Sequence, residues 1–156
     1  MIEVVFHPRA DDPSWHSTGH IGKPLADLAA DDFVFRYFTA DVEIRVDGRV
    51  DMELATPGVP VIDFVLLLLL MRREVDTTGH STATTSLTQD DFRARHRYGT
   101  VQMDYSFSPR ATRVPIAAFQ EMPGRAFKAA CDVLATAHPD LSRNPYLASL
   151  TQRVQA

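Results

Sequence analysis

The chain has 156 residues, of which 45% are hydrophobic and 23% charged, and its formal net charge is -4 at pH 7. This length predicts a single globular domain over residues 1–156, and the apolar content excludes a disordered chain. The acidic balance disfavours nucleic acid as a partner, because binding to phosphates normally requires a basic excess.

The only cysteine is Cys131, so the chain cannot form an internal disulfide. The first residues (MIEVVFHPRADD) lack the basic start and the long apolar stretch of a signal peptide. The most apolar run, residues 64–71, is much shorter than the roughly 20 residues that cross a bilayer. We therefore expect a bacterial protein that stays in the cytoplasm and does not contact a membrane.

The beginning of the chain predicts one strand and a long loop. Residues 2–6 are apolar and β-branched, and the following proline ends this strand because it removes a donor from the ladder. Residues 8–23 have no period and contain two prolines and two glycines, which predicts a surface loop held to the core by Trp15. Residues 24–30 predict a short helix.

Residues 33–46 alternate apolar and polar side chains, which predicts a strand. The alternation changes parity near residues 39–40, and such a change indicates a bulge or a break. A β-hairpin follows, because Asp47-Gly48 is the strongest turn signal in the chain.

The parity of the two strands predicts the register of this hairpin. A two-residue loop would place apolar Val50 opposite Arg45. The pattern therefore favours a three-residue loop, 47–49. That loop pairs Val46 with Val50, Ile44 with Met52, and Glu43 with Glu53.

Residues 61–74 are leucine-rich and apolar nearly all round, which predicts a buried helix rather than a buried strand. Pro60 suits the first turn of this helix. Arg72 and Arg73 lie in its last turn, where a positive charge interacts favourably with the helix dipole.

A second group of strands is predicted after this helix. Residues 76–91 are rich in threonine and serine, and they predict either a short polar edge strand or a mobile loop. Two strands follow around Gly99, because apolar residues alternate with polar ones on either side of it. Residues 113–118 predict one more strand.

Two helices are predicted at the end of the chain. One begins at Pro123 and is closed by His138 and the proline after it, and the other runs from Pro145 to about Val154 with an asparagine N-cap. The order of elements predicts an α+β fold. In this fold, a buried leucine-rich helix and the C-terminal helices pack on one face of an antiparallel β-sheet.

Four side chains near the N-terminus are candidate metal ligands: His7, Asp11, His16 and His20. Imidazole and carboxylate groups are the ligands that zinc and similar ions prefer. His16 and His20 are four residues apart, but the residues between them form a poor helix and lack the glutamate of an HExxH motif. A solvated loop is the simpler interpretation, and Cys131 is interpreted as a core residue rather than a nucleophile.

Four acidic side chains of the predicted hairpin form a candidate surface for a protein partner: Asp41, Glu43, Asp51 and Glu53. The pairing of Glu43 with Glu53 is informative, because like charges that face each other destabilise a sheet. Such a surface would dock a basic partner, and a solvated polar face is the simpler alternative.

Arg93, Arg95 and Arg97 are two residues apart, so a strand would line them up on one face. Such a row, together with His96, can bind phosphates or carboxylates. It can also neutralise the acidic residues 90–91 or protect an edge strand from pairing.

The sequence contains no common phosphate-binding, hydrolase or metalloprotease motif, so no cofactor is expected and an enzyme is disfavoured. Residues 33–138 contain, in order, a hairpin closed by VDGR, a leucine-rich helix (VIDFVLLLLLM), strands such as TVQMDYSFS and a closing helix (RAFKAACDVLATAH). This order of elements resembles the layout of small bacterial immunity proteins. The resemblance implies a stoichiometric inhibitor that covers the active surface of a toxin. It carries over no individual residue.

We therefore predict a non-enzymatic protein-binding module whose partner is a basic toxin domain. The alternative is a small-molecule enzyme or an anionic-ligand-binding domain that uses residues 93–97. A structural subunit of a larger assembly is a third interpretation.

Overall fold

A computed structural model describes residues 1–156, and the chain forms seven β-strands and four α-helices. The strands are β1 (Ile2–Pro8), β2 (Thr39–Val46), β3 (Arg49–Pro60), β4 (His80–Thr84), β5 (Asp91–Arg97), β6 (Thr100–Tyr105) and β7 (Ser108–Pro115). The helices are α1 (Ala30–Phe35), α2 (Val61–Thr78), α3 (Ile116–Ala137) and α4 (Pro145–Gln155). The predicted α+β class is confirmed.

The strands form two antiparallel ladders in which neighbours in space are also neighbours in sequence: β1-β2-β3 and β4-β5-β6-β7. The two ladders are not hydrogen-bonded to each other. Strands β3 and β7 meet through side chains, and Arg110 Nη2 lies 2.9 Å from Asp51 Oδ1. Helix α3 packs on β1, α2 packs on β4, and the two helices pack on each other, so together they connect the sheets.

The side chain of Phe64 in α2 joins the two sheets. Phe64 is fully buried, and its ring centroid lies 5.9 Å from that of Phe6 in β1 and 5.7 Å from that of Phe92 in β5. Both contacts are edge-to-face, which the charge distribution of aromatic rings favours. Phe92 in turn contacts Tyr105 of β6 at 5.3 Å. The buried hydrophobic residues of both sheets therefore form one continuous core.

Helix α2 is buried, as predicted, because apolar side chains surround most of its axis. Leu67 and Leu68 are buried, whereas Leu70 is 38% exposed. The helix continues four residues past its predicted end at residue 74. It ends where Gly79 adopts a left-handed conformation (φ 81) and donates its N–H to the carbonyl of Val75 at 2.8 Å.

Polar contacts hold the predicted N-terminal surface loop against the body of the protein. The carboxylate of Asp12 accepts hydrogen bonds from the backbone and the hydroxyl of both Ser14 and Thr39, at distances between 2.6 and 2.9 Å. Trp15 is buried and donates its Nε1 proton to the carbonyl of Thr39 at 2.6 Å, which confirms its predicted role. His138 Nε2, at the end of α3, donates to the carbonyl of Ser14 at 2.6 Å.

The prediction of one strand over residues 33–46 is wrong for its first half. Residues 30–35 form α1, and β2 begins only at Thr39. Phe38 separates the two elements because it adopts a positive φ of 65, which neither a helix nor a strand continues through. The helix predicted over residues 24–30 is also wrong, since only a single 3-10 turn, Leu25–Asp27, occurs there.

Helix α1 exists because of contacts that the local alternation does not contain. The carboxylate of Asp32 accepts a hydrogen bond from the Ala29 N–H at 2.9 Å and pairs with Lys23 at 2.8 Å. Phe33 is buried, and its ring stacks on Tyr146 of α4 with centroids 5.7 Å apart. The helical geometry thus satisfies both the polar and the apolar side chains.

The hairpin between β2 and β3 turns over two residues, so the predicted three-residue loop is wrong. Asp47 (φ 50) and Gly48 (φ 81) form the turn, and Val46 pairs with Arg49 rather than with Val50. A two-residue turn with positive φ angles matches the natural twist of two strands. This favourable geometry outweighs the cost of leaving the Val50 side chain 40% exposed. A register shift follows at once, and beyond it the predicted pairs are confirmed: Ile44 with Met52, and Glu43 with Glu53.

A second irregularity in the same ladder is much larger. Ala40 pairs with Val59 but Val42 pairs with Leu54, so residues 55–58 of β3 have no partner in β2. The bulge predicted near residues 39–40 is therefore present, one residue later.

Gly58 closes this excursion with a φ of 84. A Cβ atom there would lie 2.5 Å from the Arg9 side chain and 2.9 Å from the carbonyl oxygen of Ala40. Only glycine fits, because both the backbone conformation and the space exclude a side chain.

The last part of the chain requires two corrections. The strand predicted over residues 113–118 is β7, which starts at Ser108 and ends at Pro115. The helix predicted to begin at Pro123 begins at Ile116 and contains that proline, which is buried. Burial of the proline ring in the core compensates for the missing donor. The final helix and its Asn144 cap are confirmed, as is a short edge strand, β4, within the segment 76–91.

We predict that Gly58→Ala destabilises the protein more than Gly99→Ala. Both glycines have a positive φ, which costs about 1–2 kcal/mol for any other residue. A Cβ at Gly99 meets nothing within 4 Å, so that variant isolates the backbone strain. The clash at Gly58 adds about 1–3 kcal/mol. Urea unfolding of both variants measures the difference, and equal losses would contradict the packing argument.

We also predict that Phe64→Ala lowers the free energy of unfolding by about 3–5 kcal/mol, because it removes the ring that contacts both sheets. Phe35→Ala is the matched control, since that ring is 48% exposed. We expect the control to lose less than about 1 kcal/mol. Thermal and urea unfolding provide the measurement, and similar losses for the two variants would overturn the assigned role of Phe64.

Candidate functional site

The alternation of β5 exposes the three predicted arginines on one side of the second sheet. Phe92 and Ala94 point into the core, and Arg93, Arg95 and Arg97 point into solvent. Alternate residues of a strand lie about 7 Å apart, so the row extends for about 14 Å. The strand predicted for this segment is confirmed.

A fourth arginine joins this row through the sheet register. His80 of β4 pairs with Arg95 of β5, Arg95 pairs with Gln102 of β6, and Gln102 pairs with Arg113 of β7. Arg113 Nε donates to Gln102 Oε1 at 3.1 Å. Because neighbouring strands are about 4.8 Å apart, Arg113 lies about 10 Å from Arg95. We call this surface the arginine face: Arg93, Arg95, Arg97 and Arg113.

The four arginines of the arginine face form no salt bridge. The two carboxylates nearest to them in the sheet are bound by other groups. Asp91 accepts a hydrogen bond from Thr84 Oγ1 at 2.7 Å, and Asp104 accepts one from Gln102 Nε2 at 3.1 Å. The arginines therefore do not neutralise residues 90–91, and their guanidinium donors remain available to a partner.

An exposed tyrosine lies next to the arginine face. Tyr98 and Gly99 form the turn between β5 and β6 with positive φ values of 51 and 77. The turn carries the Tyr98 side chain entirely into solvent, one residue beyond Arg97. Tyrosine and arginine are the side chains that protein interfaces favour, because each offers a large contact area together with hydrogen-bond donors.

The acidic hairpin carries its four predicted side chains together, but three of them have cationic partners. Asp41 lies 2.7 Å from Arg9, Asp51 lies 2.9 Å from Arg110, and Glu43 lies 2.7 Å from Arg45. Glu43 also contacts His7 at 3.3 Å. Glu53 is exposed and has no ion pair. The net negative charge of this surface is thus much smaller than the sequence of the hairpin suggests.

The structure does not assemble the four candidate metal ligands. His7 contacts a glutamate of β2, and Asp11 is held by Arg9 at 3.0 Å. His16 and His20 are exposed on separate 3-10 turns of the N-terminal loop. No three histidine, cysteine or acidic side chains lie close enough together to hold a metal ion.

Cys131 lies half-buried in a crevice between α3 and α4. Burial, and to a smaller extent the charge of the neighbouring Asp132, raises the pKa of its thiol to about 11. The thiol is therefore neutral at physiological pH and a poor nucleophile.

Asp63 is a buried carboxyl group whose pKa is raised by burial. Both of its oxygens accept hydrogen bonds from Ser86, one from the backbone N–H at 2.9 Å and one from the hydroxyl at 2.7 Å. This pairing attaches the loop of residues 85–90 to the start of α2. Asp63 thus has a structural role that the sequence did not indicate, because its partner is 23 residues away.

These features describe an α+β protein in which four arginines without salt bridges lie on the solvent-facing side of the second sheet. The chain matches no protein-family model, no curated protein and no solved structure. None of its helices combines the length and the apolarity that a membrane span requires.

We predict that the buried Asp63 and the half-buried Asp12 affect stability with opposite pH dependence. Burial raises the pKa of Asp63 above 3.8, so its contribution is present at low pH and is lost as the pH rises through the folded pKa. Burial opposes ionisation of Asp12 as well. Hydrogen bonds from Ser14 and Thr39 outweigh burial and lower the pKa of Asp12, so its contribution is lost as the pH falls below the unfolded value.

Urea unfolding between about pH 3 and about pH 7 tests this pair of effects in the variants Asp63→Asn and Asp12→Asn. As the pH rises, the wild type should lose stability relative to Asp63→Asn and gain stability relative to Asp12→Asn. Parallel pH curves for the wild type and both variants would contradict the assignment.

Proposed function

We propose that this chain is a non-enzymatic protein-binding module whose arginine face docks on an acidic surface of a partner protein. The observation that supports the proposal is the absence of any carboxylate within salt-bridge distance of the four arginines, although the chain is acidic overall. An arginine guanidinium offers several donors in a fixed plane, which suits bidentate contacts with carboxylates.

The shape of this surface favours a macromolecule over a small anion. One hollow, of about 200 Å³, touches the arginine face at Arg93, and it is also lined by Asp91 and Asp104, which repel an anion. A larger hollow, of about 470 Å³, lies elsewhere, between α2 and the end of α4. The alternative of a small-molecule site at residues 93–97 therefore has little geometric support.

An acidic protein suits the arginine face better than nucleic acid does. The chain has a net charge of -4, and Asp91 and Asp104 lie on the same side of the sheet as the arginines. Phosphate binding requires a field of one sign over a larger area. On their exposed face, the strands of this sheet also carry no tryptophan, tyrosine or phenylalanine on which bases would stack, and Tyr98 lies in the turn beside them.

A second candidate function rests on the acidic hairpin and on the resemblance to bacterial immunity proteins. In this proposal, Glu43 and Glu53 dock a basic toxin domain in the cytoplasm. The unpaired carboxylate of Glu53 supports it, and the local partners of Asp41, Glu43 and Asp51 weaken it. The two candidates differ in the sign of the surface that binds, so one experiment separates them.

We expect affinity capture with the wild-type chain to retain a partner at one-to-one stoichiometry. Replacing all four arginines of the arginine face with glutamine should weaken binding at least about tenfold, because the loss of a single hot-spot arginine costs about 2 kcal/mol or more and about 1.4 kcal/mol is a factor of ten in affinity. Higher salt should slow association with the wild type. Circular dichroism checks that the exposed substitutions leave the fold intact.

A matched control replaces four exposed arginines outside this face with glutamine: Arg49, Arg125, Arg143 and Arg153. This control changes the net charge equally and should bind as the wild type does. Loss of binding in Glu43→Lys/Glu53→Lys, with the arginine variant unaffected, would overturn the first proposal and support the second. Capture of nucleic acid alone would contradict both.

A further inference from the structure

The unpaired excursion of β3 forms one wall of a groove between the two sheets. Residues 55–58 leave the ladder with β2, and the loop of residues 85–90 faces them across a hollow of about 440 Å³. We call this hollow the intersheet groove. The residues that line it and matter here are Glu53, Leu54, Pro57, Leu87, Asp90 and Phe107.

The floor and one rim of the intersheet groove are apolar. Phe107 is half-buried, and its ring is held by Phe92 and Tyr105 with centroids 5.4 and 5.3 Å away. Leu87 on the rim is 49% exposed. An aliphatic chain laid across these side chains would remove apolar surface from water.

Two carboxylates with free oxygens lie at the edges of this apolar surface. Glu53 makes no ion pair and no side-chain hydrogen bond. Asp90 accepts one bond at Oδ2, from Thr88 Oγ1 at 2.6 Å, and its Oδ1 is free. The groove therefore combines an apolar floor with acceptors that attract a cation.

The loop that carries Asp90 is already held in place. Thr85 donates its N–H to the carbonyl of Asp90 at 2.9 Å, and the Asp90 N–H donates to Thr85 Oγ1 at 2.9 Å. Ser86 is bound by the buried Asp63. A ligand would not have to order this loop on binding, which preserves affinity.

We propose that the intersheet groove binds a lysine or arginine side chain that a partner protein presents. The charge complementarity and the apolar floor together point to this occupant. Both side chains have an aliphatic stem, which would lie on Leu87 and Phe107, and a cationic head, which Glu53 and Asp90 would bind. A guanidinium would also interact with the face of Phe107. This site is separate from the arginine face. It shares Glu53 with the second candidate function but does not rest on it, because Asp90 and Leu87 lie outside the acidic hairpin.

A titration of the full-length, ¹⁵N-labelled chain followed by NMR tests the proposal. The probe is the peptide acetyl-Gly-Arg-Gly-amide, and its neutral counterpart acetyl-Gly-Gln-Gly-amide is the control ligand. The arginine peptide should produce saturable shifts in the amide signals of residues 53–56, 87–90 and 107, and the glutamine peptide should not. Equal shifts with both peptides, or shifts spread over all acidic residues, would overturn the proposal.

Variants separate this site from general attraction to an acidic protein. Glu53→Gln/Asp90→Asn should weaken binding of the arginine peptide at least about fivefold. Glu3→Gln/Asp27→Asn changes the net charge equally at exposed positions outside the groove, so its binding should match the wild type.

Leu87→Ala keeps every charge and alters only an exposed side chain, so it is informative even if the double variant fails to fold. We expect it to weaken binding by removing apolar contact. Unchanged binding of the arginine peptide to Leu87→Ala, or equally weakened binding to the Glu3/Asp27 control, would overturn the proposal that the peptide binds in the intersheet groove.

Discussion

The burial of Phe64 between the two sheets is the contact on which the rest of the molecule depends. The sheets share no backbone hydrogen bonds, so they are held together by the contact between Arg110 and Asp51 and by side-chain packing through α2 and α3. Phe64 contacts Phe6 in one sheet and Phe92 in the other. Because the inner faces are committed to this core, the sheets can carry binding chemistry only on their outer faces and in the gap between them.

The distribution of arginines gives the outer faces their different chemical properties. Arg9, Arg45 and Arg110 compensate the acidic side chains of β2 and β3. The arginines of the arginine face have no such partners, although the chain as a whole is acidic. The local pairing of charges, rather than the net charge, therefore determines the electrostatic character of each surface.

Hydrogen-bonded carboxylates hold the irregular segments in place. Asp12 fastens the N-terminal loop to the start of β2, Asp32 caps α1, and Asp63 fastens the loop of residues 85–90 to α2. Each accepts hydrogen bonds from backbone N–H groups that would otherwise be unsatisfied. The contact between Asp63 and Ser86 fixes the shape of the intersheet groove, since one wall of the groove is the loop of residues 85–90.

The elements whose signals are local could be predicted from the residues alone. The leucine-rich composition of α2, the Asp47-Gly48 turn, the alternation of β5 and β6 and the Asn144 cap each lie within a few residues, so periodicity and turn chemistry identify them. The same reasoning failed for residues 33–37, because alternating aromatic residues fit a helix or a strand, and the decision rests on Asp32 and Tyr146.

Which charges have partners and which surfaces are open depends on the tertiary structure and could not be predicted from local patterns. Arg113 belongs to the arginine face through the register of β6 and β7, and the partner of Asp51 is an arginine 59 residues away. The intersheet groove exists only because β3 leaves its ladder opposite a distant loop. These arrangements depend on contacts between segments far apart in the chain, and a local pattern of residues contains no information about the distance between such segments.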